Sequence, residues 1–124
     1  MAVSLLNRNY TAGGAIAAFR IVKCGSNDGE VVQAAAATDA LMGVTESVGP
    51  ASGERCDIVK AGVADVEFGG TVTRGAALTS DASGRAVAAA PAAGSNARII
   101  GFAEVSAVSG DIAPVLISPC VMQG

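Results

Sequence analysis

The sequence predicts an all-β fold: a small antiparallel β-barrel or sandwich with one short helix and a flexible N-terminal arm. Three observations lead to this prediction. Residues 54–87 alternate apolar and polar side chains between glycine turns. About nine short apolar runs follow one another at nearly regular spacing through the chain. Strong helix propensity is confined to one alanine-rich stretch, residues 34–42.

The composition limits both the core and the classes of function. Of the 124 residues, 51% are hydrophobic but only 3% are aromatic, and the chain has no Trp and no His. Small side chains bury little area each, so a lone domain should be modestly stable and should gain from assembly. The net charge is −3 and the basic residues are scattered, which argues against nucleic-acid binding.

Neither a membrane span nor a secretion signal is predicted. No window approaches the roughly 20 apolar residues that a membrane helix needs. The N-terminus also lacks the order of basic region, apolar run and cleavage site of a signal peptide. We therefore expect a soluble protein made in a cytoplasm.

The first third of the chain reads as arm, strand, turn, strand and helix. Residues 1–15 show no period and predict an arm that stays disordered until it meets a partner. Strands are expected at residues 18–23 and 30–36, around a turn at residues 25–29. Residues 37–42 predict one helical turn, with Thr38 or Asp39 as its N-cap and Gly43 as its stop.

The centre of the chain shows the clearest strand pattern. Residues 43–48 predict a short strand, and residues 54–60 and 63–68 alternate with a period of two around a turn at Ala61 and Gly62. The inward-facing residues are expected to be Cys56, Ile58, Ala64, Val66 and Phe68. The outward-facing residues of the second run are Asp65 and Glu67.

The last third predicts a hairpin, a surface loop and two strands. The hairpin joins residues 76–79 to 85–89, and the loop covers residues 90–96. In the strand at residues 98–107, Gly101 predicts a bulge or a close backbone contact. Pro114 predicts that the final strand, residues 112–118, lies at an edge. The domain boundaries are then an arm at 1–15, a β-domain at 16–118 and a loose tail at 119–124.

Catalytic and metal-binding patterns are weak. Asp65 and Glu67 share one strand face, which suits a cation site or a glycosidase-like pair, but also a plain solvated face. The thiols Cys24, Cys56 and Cys120 form no CxxC motif and have no His as a co-ligand. We expect free thiols, with a single bridge from Cys120 to one of the others left open. The prediction is a non-enzyme with no cofactor and no metal.

The arm suggests an alternative kind of activity, namely binding. Leu5, Leu6 and Tyr10 could order on a partner by adding a strand to the edge of its sheet. The competing interpretation is a terminus with no role.

Residues 16–118 resemble the capsid cement, or decoration, proteins of tailed bacteriophages. The segments that carry the resemblance are LMGVTESVG, DIVKAGVADVEFGGTVTRGAALTSDASGRAV and ARIIGFAEVSAVSGDIAPVLIS. The resemblance implies a β-tulip-like domain that binds the outer surface of a phage head and clamps neighbouring major capsid subunits. It also implies a homotrimer, with a dimer as the alternative, located on the virion.

The resemblance and the arm together suggest contact residues. For the capsid protein these are Leu5, Leu6, Asn9 and Tyr10; for self-association they are Arg74, Pro91 and Asn96. A virion-displayed carbohydrate-binding or adhesion module is the alternative function. Exposed aromatic side chains would favour it, and this chain has few aromatics.

Overall fold

The protein is all-β. A computed structural model describes residues 3–124, and these residues contain nine strands and no helix. The strands are β1 (Val3–Ala12), β2 (Ile21–Cys24), β3 (Glu30–Gln33), β4 (Leu41–Thr45), β5 (Arg55–Glu67), β6 (Ala77–Ser80), β7 (Ala86–Ala88), β8 (Asn96–Ala103) and β9 (Ile112–Gln123). The described chain therefore has no helix that could cross a membrane.

All nine strands belong to one sheet with the order β1-β3-β2-β4-β5-β9-β8-β6-β7. An additional pairing of β1 with β5 joins the first five strands in that order into a ring. The remaining four strands continue from β5 as an open extension, so the molecule is not a complete barrel. The strand pairs are antiparallel except β1 with β3, which are parallel at Thr11 and Ala12.

Two clusters of buried side chains form the core, one inside the ring and one between the ring and the open extension. Inside the ring lie Tyr10, Ala12, Ile16, Val22, Val31 and Ile58, with Met42 and Cys56 packed against them. The larger cluster packs side chains of β5, β9, β8 and β6 against β2 and β4 of the ring; it includes Phe68, Leu78, Ile100 and Val115 together with Ile21 and Val44. The predicted inward residues Ala64, Val66 and Phe68 all belong to it, so the period of two in this part of β5 is confirmed.

The predicted helix at residues 37–42 is wrong. The chain makes a turn there instead: the Asp39 carboxylate accepts a hydrogen bond from the N–H of Ala35, and the Asp39 N–H bonds the carbonyl oxygen of Ala36. Strand β4 begins directly afterwards, at Leu41, and pairs with both β2 and β5. Two strand partners outweigh the local helix propensity of the alanines.

The N-terminal residues predicted to be disordered form strand β1. Its pairing with β5 begins at Val3 opposite Val63 and continues to Thr11 opposite Arg55. The reason is the burial of Tyr10 and Ala12, which contribute to the core inside the ring. The segment at 119–124 is likewise not a loose tail, because β9 continues to Gln123 and pairs with the first half of β8.

Two further expectations about β5 and β9 are corrected. Ala61 and Gly62 are not a turn; β5 is continuous, and the positive φ of Gly62 (103°) coincides with the register shift of β1 near Leu6. Strand β9 is not at an edge, since β5 and β8 flank it. The carbonyl oxygen of Pro114 accepts a hydrogen bond from the N–H of Glu104, which lies just past the end of β8. Pro114 is tolerated there because no residue of β8 is left without a partner by the N–H that proline lacks.

Candidate interaction surface

Three of the four predicted capsid-contact residues lie on the surface of β1. Leu5 is 79% exposed and Leu6 54%, and Asn9 is also exposed. Asn9 belongs to a polar group with two residues of β5: its side-chain amide donates to Asp57, and its oxygen accepts from Arg55. Tyr10 is only 3% exposed, so its aromatic side chain packs in the core inside the five-stranded ring rather than on a contact surface.

Strand β1 also leaves backbone groups free for pairing. Its residues 3–11 pair with β5 on one side, but β3 covers the other side only at Thr11 and Ala12. Within residues 3–124, no strand pairs with that other edge of β1 between Val3 and Asn9. An uncovered edge of this kind is a template for an added strand.

A line of apolar side chains crosses one face of the sheet from β1 to β6. Val3 lies opposite Val63, Val63 opposite Leu116, Leu116 opposite Phe102, and Phe102 opposite Ala77. Directly opposed residues point to the same face of a sheet, and this face is the one away from the core. Phe102 is 37% exposed and Leu116 41%. We call these five residues the apolar row.

The sequence contained a signal for the apolar row that local analysis missed. Asp65 and Glu67 were assigned to the outer face, and Val63 has the same parity in β5. Similarly, Leu116 alternates with the buried Val115 and Ile117. What the sequence alone does not reveal is the register that places Val63, Leu116 and Phe102 side by side.

The residues predicted for self-association occupy two separate places. Asn96 begins β8. Arg74 lies near Ala103, at the other end of β8, and the N–H of Arg74 donates to the Ser106 hydroxyl oxygen. Pro91 lies with Asn96, because the loop between them bonds to Gly124 through Gly94 and Ser95. At a rise of about 3.3 Å per residue the two ends of β8 are roughly 23 Å apart. A single patch containing all three residues is therefore not formed within one protomer.

The two carboxylates on β5, Asp65 and Glu67, both interact with other residues. Glu67 Oε2 lies 3.2 Å from Arg20 Nη2 and 3.9 Å from Arg85 Nη1, with all three side chains partly buried. Asp65 is also engaged in an interaction. Among residues 3–124 no cluster of three or more acidic or Cys side chains could hold a metal ion. The pair is thus placed in a network of charges on the sheet face.

The three thiols are free and have different surroundings. Cys24 and Cys120 are exposed, whereas Cys56 is half-buried. Burial, together with the neighbouring Asp57, raises the pKa of the Cys56 thiol. Its sulfur contacts the carbonyl oxygen of Tyr10 at 3.6 Å. The bridges left open by the sequence are not present in the structure.

A cleft of about 400 Å³ opens at one end of the five-stranded ring. Its walls are Arg8 and Tyr10 of β1, Lys60 of β5, Met42 of β4 and the loop at residues 24–30. Lys60 Nζ donates to the Tyr10 hydroxyl oxygen at 2.8 Å. The Lys60 nitrogen and the Arg8 Cζ lie 5.4 and 5.3 Å from the centre of the Tyr10 ring, both within cation–π range.

A comparison with solved structures identifies a protein with the same fold. The crystal structure of the head fiber gp8.5 N base in bacteriophage phi29 has the same fold, with a TM-score of 0.67 at 20% identity. The similarity covers 91% of this chain and 93% of that one. No curated protein matches.

The resemblance noted in the sequence is confirmed by a family match. Residues 5–117 match the family described as phage cement protein. This range includes most of the strands of the ring and of the open extension, together with the larger part of the apolar row. The chain belongs to the phage cement protein family.

Proposed function

We propose that the protein binds the outer surface of an assembled phage head and clamps neighbouring major capsid subunits, without catalysing a reaction. The observation that carries this proposal is the apolar row, in a chain of the cement family. The row spans five strands, roughly 19 Å at a strand spacing of about 4.8 Å. A line of this length, exposed at Val3, Leu116 and Phe102 and half-buried at Val63 and Ala77, suits contact with a protein surface.

The N-terminal half of β1 extends the same surface. Val3 is part of the apolar row, and Leu5 and Leu6 follow on the same strand with most of their side chains exposed. The uncovered edge of β1 would allow a capsid strand to pair with it through main-chain hydrogen bonds. Leu5, Leu6 and Asn9 remain our proposed capsid contacts, while Tyr10 supports them from the core.

Clamping is expected to depend on many copies acting together. We propose a homotrimer on the capsid lattice, with Arg74, Pro91 and Asn96 as contacts between copies. The two ends of β8 would then contact different neighbours. Each contact can be weak, because attachment to one subunit raises the effective concentration for the next.

The test is to add purified protein to expanded shells that lack it, and to measure bound copies and resistance of the shells to heat. We expect saturable binding and a higher temperature of shell disruption. Replacing Phe102 and Leu116 together by Ser should weaken binding at least about tenfold, since two partly exposed apolar anchors are lost. Val48→Ser is the matched control: Val48 is 77% exposed but lies outside the row.

Point substitutions suit β1 better than deletion of residues 1–12. The deletion would also remove Tyr10 and Ala12 from the core, so a loss of binding could reflect unfolding. Leu5→Ser combined with Leu6→Ser leaves the core intact. Wild-type protein that fails to bind any expanded shell would refute the proposed function.

A further inference from the structure

The cleft at the end of the ring has three hydrogen-bond donors on its β1–β5 side, namely Arg8, Lys60 and the Tyr10 hydroxyl, and the acidic residues Asp28 and Glu30 on its loop side. The Tyr10 hydroxyl oxygen accepts from Lys60, so its own proton needs another acceptor. Among residues 3–124 none accepts it, and Tyr10 lines the open cleft. The proton is therefore available to an acceptor that enters the cleft.

The two cations of the cleft are also without carboxylate partners. In the described part of the chain, Arg20, Lys23 and Arg85 form ion pairs, but Arg8 and Lys60 do not. Their positions follow from the register. Arg8 lies opposite the buried Ile58, and Lys60 is two residues further along β5, so both continue the inward face of the ring to its open end.

The acidic residues of the cleft do not neutralise these cations. Glu30 is held by its own loop: one carboxylate oxygen accepts from the N–H of Ser26 at 2.9 Å and the other from the Asn27 side chain at 3.4 Å. Asp28 is exposed on the same loop. In the part of the chain that the structure describes, neither Glu30 nor Asp28 forms an ion pair with Arg8 or Lys60. Lys60, Arg8 and the Tyr10 hydroxyl therefore form one group of donors, which we call the donor cluster.

We propose that the donor cluster receives the carboxylate of an acidic side chain on the capsid subunit, which makes the cleft a specificity site for the shell. This inference rests on the proposed function. A carboxylate is the acceptor that matches a guanidinium, an ammonium and a hydroxyl together. The cleft volume, about 400 Å³, admits an Asp or Glu side chain with part of its backbone.

The position of the cleft favours the shell as the source of that carboxylate. Arg8 lies on β1, the strand that also carries the proposed shell contacts Leu5 and Leu6. A capsid segment that pairs with the uncovered edge of β1 would pass the open end of the ring. Charge–charge contact at such a site mainly adds selectivity and speeds encounter.

The experiment compares Arg8→Gln, Lys60→Gln and Arg98→Gln with wild type in the shell-binding assay at several salt concentrations. Arg98 is an exposed cation outside the cleft, so its substitution is matched to that of Arg8. We expect about a tenfold rise in Kd and a weaker salt dependence for the two cleft variants, but little change for Arg98→Gln. Asp28→Asn should tighten binding, since it removes a like charge from the cleft.

Two controls separate the possible outcomes. Thermal melting reports whether each variant folds. If Lys60→Gln is unstable, Lys60→Arg replaces it in the comparison, and this variant should keep the wild-type affinity because it keeps the positive charge. Wild-type protein that does not bind shells would refute the proposed function itself. Normal wild-type binding, with Arg8→Gln no weaker than Arg98→Gln, would overturn only the donor cluster. Loss of self-association in Arg8→Gln, seen by sedimentation, would assign the carboxylate to a second copy and also overturn it.

Discussion

In the β8–β9 ladder, the Cα of Gly101 lies so close to the carbonyl oxygen of Leu116 that a Cβ at position 101 would overlap that oxygen. The register shift between Ile99 and Gly101 falls at this point. A bulge or a close backbone contact was expected at Gly101, and the close contact occurs. The extra residue of the register shift belongs to β9, where Ser118 and Pro119 oppose Ile100 of β8.

Gly101→Ala should therefore destabilise the fold. The added methyl group meets backbone atoms, which cannot move aside without shifting a strand, so the free energy of unfolding should fall by about 2 kcal/mol or more. Thermal melting measures this as a drop of roughly 5–15 °C. Gly14→Ala is the control, because nothing lies within 4 Å of its Cβ position. Equal melting temperatures for the two variants would contradict the close contact.

Truncation of Phe68 should destabilise the fold much more than truncation of Phe102. Phe68 is fully buried in the larger core, and Phe68→Ala should lower the free energy of unfolding by about 3–5 kcal/mol. Phe102→Ala should change it by about 1 kcal/mol or less, because the ring already contacts solvent. Denaturant titration of both variants checks this. A large loss for Phe102→Ala would mean that the apolar row belongs to the core.

Glu67 should stabilise the fold through its two arginines. Glu67→Gln removes the charge that pairs with Arg20 and Arg85, and the Arg20 Nε has no hydrogen-bond partner among the described residues to compensate. Since these side chains are only partly buried, the expected loss is about 1–2 kcal/mol in free energy of unfolding. Glu104→Gln, at an exposed position, should lie within about 0.5 kcal/mol of wild type.

Asp39 should make stability depend on pH. Burial opposes ionisation of this carboxyl group, but the N–H of Ala35 and the Lys23 ammonium outweigh it and lower its pKa. The charged form then stabilises the folded state above the ordinary pKa, and this contribution disappears as pH falls through the lowered pKa. The gap in unfolding free energy between wild type and Asp39→Asn should be largest near neutral pH. It should shrink below about pH 4; a gap that stays constant would exclude this assignment.

The thiols should react with iodoacetamide in a defined order. The thiolate is the reactive form, and burial raises the pKa of Cys56, so Cys56 should be alkylated more slowly than Cys24 or Cys120 at pH 8. Peptide mass spectrometry after short exposure gives the three rates. Addition of denaturant is the control and should bring the rates together. Fastest labelling at Cys56 in the folded protein would contradict its half-buried position.

Local patterns predicted those parts of the fold that depend on neighbouring residues. The alternation around Ala64 and Val66, the strand class and the role of Gly101 are all readable within a few residues. The pairing of Val3 with Val63 is different, because it joins positions 60 residues apart and no local pattern encodes it. For the same reason the donor cluster was missed: Arg8 and Lys60 meet only through the β1–β5 register.

The position of β5 between the first and last strands has a consequence for synthesis. Val63 pairs with Val3 on one side and with Leu116 on the other, so one of its two strand partners is translated more than 50 residues after Val63 itself. On the ribosome β5 stays open along one side until β9 has left the exit tunnel. Folding should then be slow, as expected for non-local strand pairings, and the unpaired side of β5 is open to association with other chains until β9 arrives.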